Sequence, residues 1–98
     1  MNGTFLVKEV GELTTVPTAN GELQKRTIVL AEMMTVVRQE SGVERAENEF
    51  LVELMGDKAT HFNMKTGDWI VGTLNFYVKR GTNGAFQKIN LVRYVPLV

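Results

Sequence analysis

The second half of the chain alternates apolar and polar residues in three stretches, which a helical segment and a tight turn separate. The stretches cover residues 49–56, 69–80 and 85–95, and their period of two is that of a strand with one buried face. Residues 57–68 (DKATHFNMKTGD) break this pattern and predict a short helix that begins with Asp57 as its N-cap. Residues 81–84 (GTNG) are typical of a tight turn. This half of the chain therefore predicts strand, helix, strand, turn and strand.

The first half predicts two further strands. Thr4–Leu13 alternates loosely and indicates a first strand with a bulge near Gly11, and Thr14–Gly21 (TTVPTANG) is a loop or hairpin tip. Leu23–Val37 is a second strand, and the polar segment Gln39–Asn48 is the turn of a long hairpin. Five strands with a helix between the third and the fourth predict an all-β fold, the five-stranded OB-fold barrel.

Length and composition limit the class of protein. Ninety-eight residues without a linker or repeat predict one domain over residues 1–98. No apolar run reaches the length of about 18 residues that a membrane span needs, and residues 1–4 (MNGT) do not resemble a secretory signal. The absence of cysteine excludes disulfides, thiol chemistry and cysteine-ligated zinc, and fits a cytoplasmic location.

Charge is balanced over the whole chain but not along it. The formal net charge is zero, which argues against a nucleic-acid partner. Residues 69–98 nevertheless carry four bases and no acid, whereas residues 38–57 carry six acids and two bases. The two blocks are thus +4 and −4. A phosphate-binding face beside an acidic flap would explain the asymmetry, and so would chance.

The residues that catalysis would need are sparse. His61 is the single histidine, and no serine or cysteine nucleophile lies near it in the sequence. Glu49 and Glu53 share one strand face, where they could act as an acid/base pair or form a solvated surface. No phosphate loop and no metal-ligand spacing is present. We therefore expect a protein that is not an enzyme and uses no cofactor or metal.

A binding surface is the remaining candidate. If Ile70, Gly72, Leu74, Phe76 and Val78 face the core, the alternate residues of the fourth strand face outward, and residues 86, 88 and 90 do so on the fifth. Aromatic rings stack on bases and cations follow phosphates, so this mixture is typical of single-strand binders. The candidate nucleic-acid-binding residues are Arg26, Asn75, Tyr77, Lys79, Arg80, Phe86 and Lys88. Lys25, which enters the second strand beside Arg26, could extend the track of cations.

Each aromatic residue also has a structural interpretation. Tyr77 could cover a dimer seam or the base of the long hairpin. Phe86 could pack under the turn at residues 81–84. Trp69, at the start of its strand beside the helical segment, could be structural.

Several segments resemble one known family. FLVELMGD (residues 50–57), KTGD (residues 65–68), VGTL (residues 71–74) and the strand after Gly84 are similar to the bacterial single-stranded DNA-binding protein family. The similarity is greatest to its short single-domain OB-fold relatives of the primosomal replication protein N type. It implies sequence-independent binding of single-stranded DNA in replication, recombination or repair, with RNA as an alternative ligand. It also implies a homodimer or homotetramer.

The resemblance assigns positions as well. The family's late fourth-strand aromatic falls near Lys79, with Tyr77 on the same face, and an aromatic after the last turn corresponds to Phe86. The aromatic that the family places at the start of its third strand falls near Glu49, which is a departure. The main alternative function is a protein-interaction adaptor that docks a partner through the acidic hairpin, Gln39–Glu53. An oligosaccharide binder is a further alternative.

Overall fold

The structure, a computed structural model, describes the backbone of residues 1–38 and 42–97 and the side chains of residues 1–32 and 47–97. The described chain forms six strands and one short helix. In chain order these are β1 (Asn2–Val10), β2 (Thr14–Thr18), β3 (Gly21–Arg38), β4 (Gly42–Met55), α1 (Asp57–His61), β5 (Trp69–Gly81) and β6 (Gly84–Pro96).

Five of the strands close into a ring. The order is β1, β5, β6, β4 and β3, and a pairing between β1 and β3 completes the circle. All the pairings are antiparallel except that of β4 with β6, which pair in parallel at Glu53 and Asn90. This ring confirms the predicted five-stranded OB-fold barrel.

The remaining strand, β2, corrects one prediction. Residues 14–18 were expected in a loop or hairpin tip, but they form a strand that pairs with the start of β3. Val16 lies opposite Leu23, and the turn falls at Ala19 and Asn20, so a short hairpin extends from the barrel wall. Pro17 is tolerated because β2 is an edge strand.

β1 belongs to both halves of the barrel. Its first residues, Asn2–Leu6, pair with β5, and Leu6–Val10 pair with β3. The register shifts between Val7 and Glu9, so the bulge lies at Lys8 and the expectation of a bulge near Gly11 is wrong. A bulge here bends the strand from one sheet to the other.

The core fills the barrel, and the helical segment closes one end. Inward-facing residues of the five ring strands are buried, and Ala59 and Phe62 pack against them. Helix α1 is capped by Gly56 at φ 64°, with no side-chain hydrogen bond, so Asp57 is not the N-cap. The strand residues of this core cluster are Phe5, Val7, Ile28, Leu30, Val52, Leu54, Ile70, Leu74 and Leu91.

Two hairpins extend past the barrel. β3 and β4 stay paired up to Arg38 and Gly42, so residues 42–48, expected in a turn, belong to a strand. The backbone of residues 39–41 of that predicted turn lies outside the described residues. β5 and β6 stay paired up to Gly81 and Gly84, which confirms the tight turn. Phe76 and Val78 lie on this second arm and are exposed, although their parity predicted burial.

An aromatic chain links the second arm to the core. The ring of buried Phe5 meets that of Phe50 edge-on at 5.9 Å, and Phe50 meets Phe76 at 6.0 Å. Edge-to-face geometry is the favoured contact of such rings. The contact ties the base of the arm to the barrel.

Helix α1 has five residues. Within the described chain, no helix is long and apolar enough to span a membrane.

Candidate nucleic-acid interface

Strand parity places one set of side chains on the outside of β3, β4, β6 and β5. Because Ile28, Val52 and Leu91 point inward, their strand neighbours point outward. One row of paired residues crosses all four strands on this side: Thr27, Glu53, Asn90 and Asn75. We call this surface the outer face, and it comprises Lys25, Thr27, Leu51, Glu53, Met55, Asn75, Tyr77, Lys79, Phe86, Lys88 and Asn90.

Two aromatic side chains stand on the outer face of the β5–β6 arm. Tyr77 lies opposite Lys88, and Phe86 lies opposite Lys79, so the two rings occupy diagonal positions. Such positions are about 7–8 Å apart on antiparallel strands. Tyr77 is 41% exposed and Phe86 53% exposed, so both rings present much of their surface to solvent. The arrangement alternates aromatic and cationic side chains on neighbouring strands.

The ring of Phe86 rests beside the turn without being covered by it. A Cβ placed on Gly81 would lie 4.0 Å from Cε2 of Phe86. The structural interpretation of Phe86 as a residue packed under this turn is therefore only partly met, because more than half of the side chain stays exposed.

A carboxylate occupies the centre of the outer face. Glu53 Oε1 lies 3.0 Å from Nζ of Lys25 and 3.2 Å from Nζ of Lys88. Burial raises the pKa of the Glu53 carboxyl, but the hydrogen bonds and charges of the two lysines outweigh this effect and hold the pKa below its usual value. Glu53 is therefore an anion at neutral pH. Lys79 forms no ion pair with any other described residue.

Two hollows flank this carboxylate. One, of about 370 Å³, lies between β4, the start of α1 and the β5–β6 arm, with Tyr77, Met55 and Asn90 in its lining. The other, of about 180 Å³, lies where β4 and β6 diverge beside Leu51. Oδ1 of Asn90 is buried and has no hydrogen-bond partner among the described residues. The outer face is thus uneven and carries an unpaired acceptor.

The structure separates two candidate residues from the others. Arg26 alternates with Lys25 and faces inward, where it is half-buried and its Nη1 donates a 3.4 Å hydrogen bond to the carbonyl of Phe62. Arg80 lies opposite Ala85 and alternates with Lys79, so it projects from the other side of the arm. The remaining candidates, Asn75, Tyr77, Lys79, Phe86 and Lys88, share the outer face.

Of the two neighbouring candidates on β3, Lys25 lies on the outer face and Arg26 does not. The signal that could have separated them is the period of two, because Ile28 and Leu30 face inward and therefore put Arg26 inward and Lys25 outward. Val29 between them is also apolar, which hid the alternation in the sequence. Leu51 was an omission: at 63% exposed it stands at the centre of the outer face.

The single histidine of the sequence lies in helix α1. His61 lines a separate hollow of about 320 Å³ between α1 and β6, together with Lys58 and Arg93. Nζ of Lys58 donates a 3.1 Å hydrogen bond to the carbonyl of Leu91. In the described part of the chain, no group of three or more histidine, cysteine, aspartate or glutamate side chains could hold a metal ion.

Comparison with known proteins supports the fold. No family model and no curated protein sequence matches the chain. Its structure is similar to the crystal structure of a deletion mutant of the single-stranded DNA binding protein from Thermus aquaticus, with a TM-score of 0.61 and 19% sequence identity. The match covers 100% of this chain and 51% of that protein, so the chain spans about half its length. At this identity the likeness concerns the fold.

Proposed function

We propose that the protein binds single-stranded DNA through the outer face, without enzymatic activity and largely without sequence preference. The observation that supports this most directly is the exposure of Tyr77 and Phe86 on one side of the β5–β6 arm, each opposite a lysine. Exposed aromatic rings among cations suit any base sequence, because every base has a stacking face. The similarity of the fold to a single-stranded DNA binding protein is consistent with this role. Replication, recombination or repair is the proposed setting.

Each residue has a proposed role. Tyr77 and Phe86 stack on bases, and Lys79 contacts a phosphate. Asn75 donates a hydrogen bond to a base edge or sugar. Lys88 lies on the same face but is engaged by Glu53. Arg26 and Arg80 are left out of this set because both point away from the outer face.

The charge of the surface limits the affinity. The net charge is zero, and two of the three lysines on the outer face share one carboxylate. Few phosphates are then neutralised, so we expect modest affinity with a shallow dependence on salt.

The test is fluorescence anisotropy of a labelled oligo-dT of about 30 nucleotides, a length that exceeds the roughly 4–16 nucleotides covered by one OB fold. Protein is titrated at low and at physiological salt. Saturable binding that weakens with salt is the expected result, and competition with oligo-rU separates DNA from RNA preference. No binding at tens of micromolar protein in low salt, by the wild type or by Glu53→Gln, would refute the proposal.

The alternative adaptor function rests on a different observation. Leu51 is largely exposed beside Glu49, also exposed on the same side of β4, and this combination suits a protein partner. Partner binding would then survive nuclease treatment and would be lost on charge reversal at Glu44 and Glu47. The side chain of Glu44 lies outside the described residues.

We also propose that the chain self-associates as a homodimer or homotetramer through β1 or an exposed hairpin edge. Support comes from apolar side chains exposed on the outward side of the barrel near β1: Trp69 and Val71 on β5, and Val95 opposite Val71 on β6. Clustered exposed apolar residues are typical of interaction surfaces. Sedimentation equilibrium at micromolar concentration tests this, and a mass of 11.0 kDa would refute it.

A further inference from the structure

Two cations of the outer face converge on Glu53. Lys25 is two residues before Thr27, the β3 partner of Glu53, and Lys88 is two residues before Asn90, its β6 partner. The two lysines thus reach the carboxylate from the strands on either side. Both ammonium groups bind the same oxygen, Oε1, at 3.0 and 3.2 Å.

The surroundings make this cluster more than a loose surface pair. The Glu53 side chain is 20% exposed, and those of Lys25 and Lys88 are about one-third exposed. Half-buried ion pairs are screened less by salt than exposed ones. Leu51 and Tyr77 flank the cluster on the same face, so a strand stacked on the aromatic rings would pass beside it.

We propose that Lys25 and Lys88 form a phosphodiester-binding site that Glu53 occupies as an internal competitor, so that this carboxylate limits the affinity of the outer face for single-stranded DNA. The inference rests on the proposed function and deepens it. An ammonium pair accepts a carboxylate or a phosphate oxygen in the same geometry. A phosphate that reaches these lysines must displace Glu53 or lie beside its charge, and both cost affinity.

The direction in which Glu53→Gln should change the affinity for single-stranded DNA follows from the charges of the cluster. In the wild-type protein, the cluster carries two positive charges and one negative charge, and each ammonium group already contacts Glu53 Oε1. Glu53→Gln keeps the size of the side chain, removes the competing charge and leaves both ammonium groups for phosphate. Since each phosphate neutralised on a single strand adds about 0.7 to the slope of log affinity against log salt, the one phosphate that replaces Glu53 would add about 0.7.

The experiment is the oligo-dT titration carried out on the full chain as wild type, Glu53→Gln and Glu47→Gln. Glu47→Gln is the matched control, because Glu47 is also paired with a lysine, Lys8, at 3.0 Å and lies six residues along β4, about 20 Å from Glu53. We expect Glu53→Gln to bind more tightly, with an advantage over wild type that grows about fivefold when salt falls from about 200 to about 20 mM. The control should stay within about twofold of wild type at each salt concentration, as its slope is unchanged.

A double-mutant cycle identifies the lysines. Lys88→Gln should change binding by less than about threefold in the wild-type background. In the Glu53→Gln background it should remove most of the added salt slope, because the proposed phosphate site needs both ammonium groups. Thermal unfolding checks that each variant is folded. If Glu53→Gln does not fold, Lys88→Gln in the wild-type background still tests the proposal. A loss of affinity of tenfold or more would show that Lys88 is already available to phosphate and would overturn the proposal.

The outcomes separate the two proposals. Binding by Glu53→Gln where the wild type binds weakly or not at all supports the internal competitor. Wild-type binding with Glu53→Gln indistinguishable from Glu47→Gln overturns it and leaves the proposed function standing. Failure of the wild type and of folded Glu53→Gln to bind at low salt overturns both.

Discussion

Removal of the two exposed rings is the most direct perturbation of the proposed interface. In Tyr77→Ala/Phe86→Ala, both stacking surfaces are lost, while Lys79 and the Glu53 cluster remain. Each base–aromatic stack contributes about 1–3 kcal/mol, so each ring is worth about 5- to 150-fold in affinity. If the two stacks are independent, the double variant should bind oligo-dT between about 30-fold and 10⁴-fold more weakly.

The salt dependence gives a second readout of the same variant. Phosphate contacts set the slope of log affinity against log salt, and the rings contribute none. The slope should therefore stay unchanged while the affinity falls. A drop in slope would mean that the substitutions had displaced the lysines instead.

Folding should be nearly unaffected, because both rings are about half exposed and lie outside the core. We expect a loss of about 1 kcal/mol or less, or a decrease in melting temperature below about 8 °C for a domain of this size. Val78→Ala is the matched control, since Val78 is 53% exposed on the opposite side of the same strand. Anisotropy that places the double variant within about twofold of wild type would refute stacking on these rings.

Three further predictions concern stability. Leu54→Ala, which truncates a side chain that is 1% exposed, should cost about 2–5 kcal/mol in urea unfolding, and a loss below 1 kcal/mol would contradict the assignment of Leu54 to the core. The pKa of Glu53 is lowered from its ordinary value of 4.5, so its ion pairs stabilise the fold above pH 4.5, and this contribution is lost as pH falls through the lower folded value. The urea midpoint of Glu53→Gln should accordingly be lower than that of wild type at pH 7, and the two midpoints should converge as pH falls from 4.5 through the lowered pKa of Glu53, whereas a constant difference would exclude this origin. Gly72→Ala would place a Cβ 3.0 Å from the carbonyl oxygen of Arg93 and should destabilise the barrel by about 1–3 kcal/mol. The control, Gly81→Ala, has no atom nearer than 4.0 Å to the added Cβ and should melt close to wild type. Equal melting temperatures of the two variants would show that β6 shifts at no cost.

Prediction from the sequence was most accurate for segments whose structure depends on a few neighbouring residues. The helical plug, the tight turn at residues 81–84 and the facing of β4 and β6 follow from periodicity and turn chemistry, which act over a few residues. It failed at residues 14–18 and 42–48, whose polar composition is typical of loops. Both segments pair with β3, so the partner strand and not the local sequence decides that they are strands.

Strand β3 shows why the alternation of residues along a strand did not by itself identify which side chains face outward. Ile28, Val29 and Leu30 are all apolar, so the sequence could not tell which of Lys25 and Arg26 faced outward. Pairing with β4 decided it, because Ile28 lies opposite buried Val52. Phe76 is exposed because it lies on the β5–β6 arm, past the end of the barrel. The alternation along β5 assigned it to the same side as the core residues, but no core is present at that height.

By itself, the sequence determined the five strands of the ring, the position of the helix and the acid-free composition of the last thirty residues. These properties depend on neighbours along the chain. Only the tertiary structure decided that Lys25 and Lys88 meet at Glu53, although they are 63 residues apart in the sequence. That meeting requires the closure of the ring, in which β4 pairs with β3 on one side and with β6 on the other. The register of strands distant in sequence is set by how the whole core packs, and no local pattern encodes it.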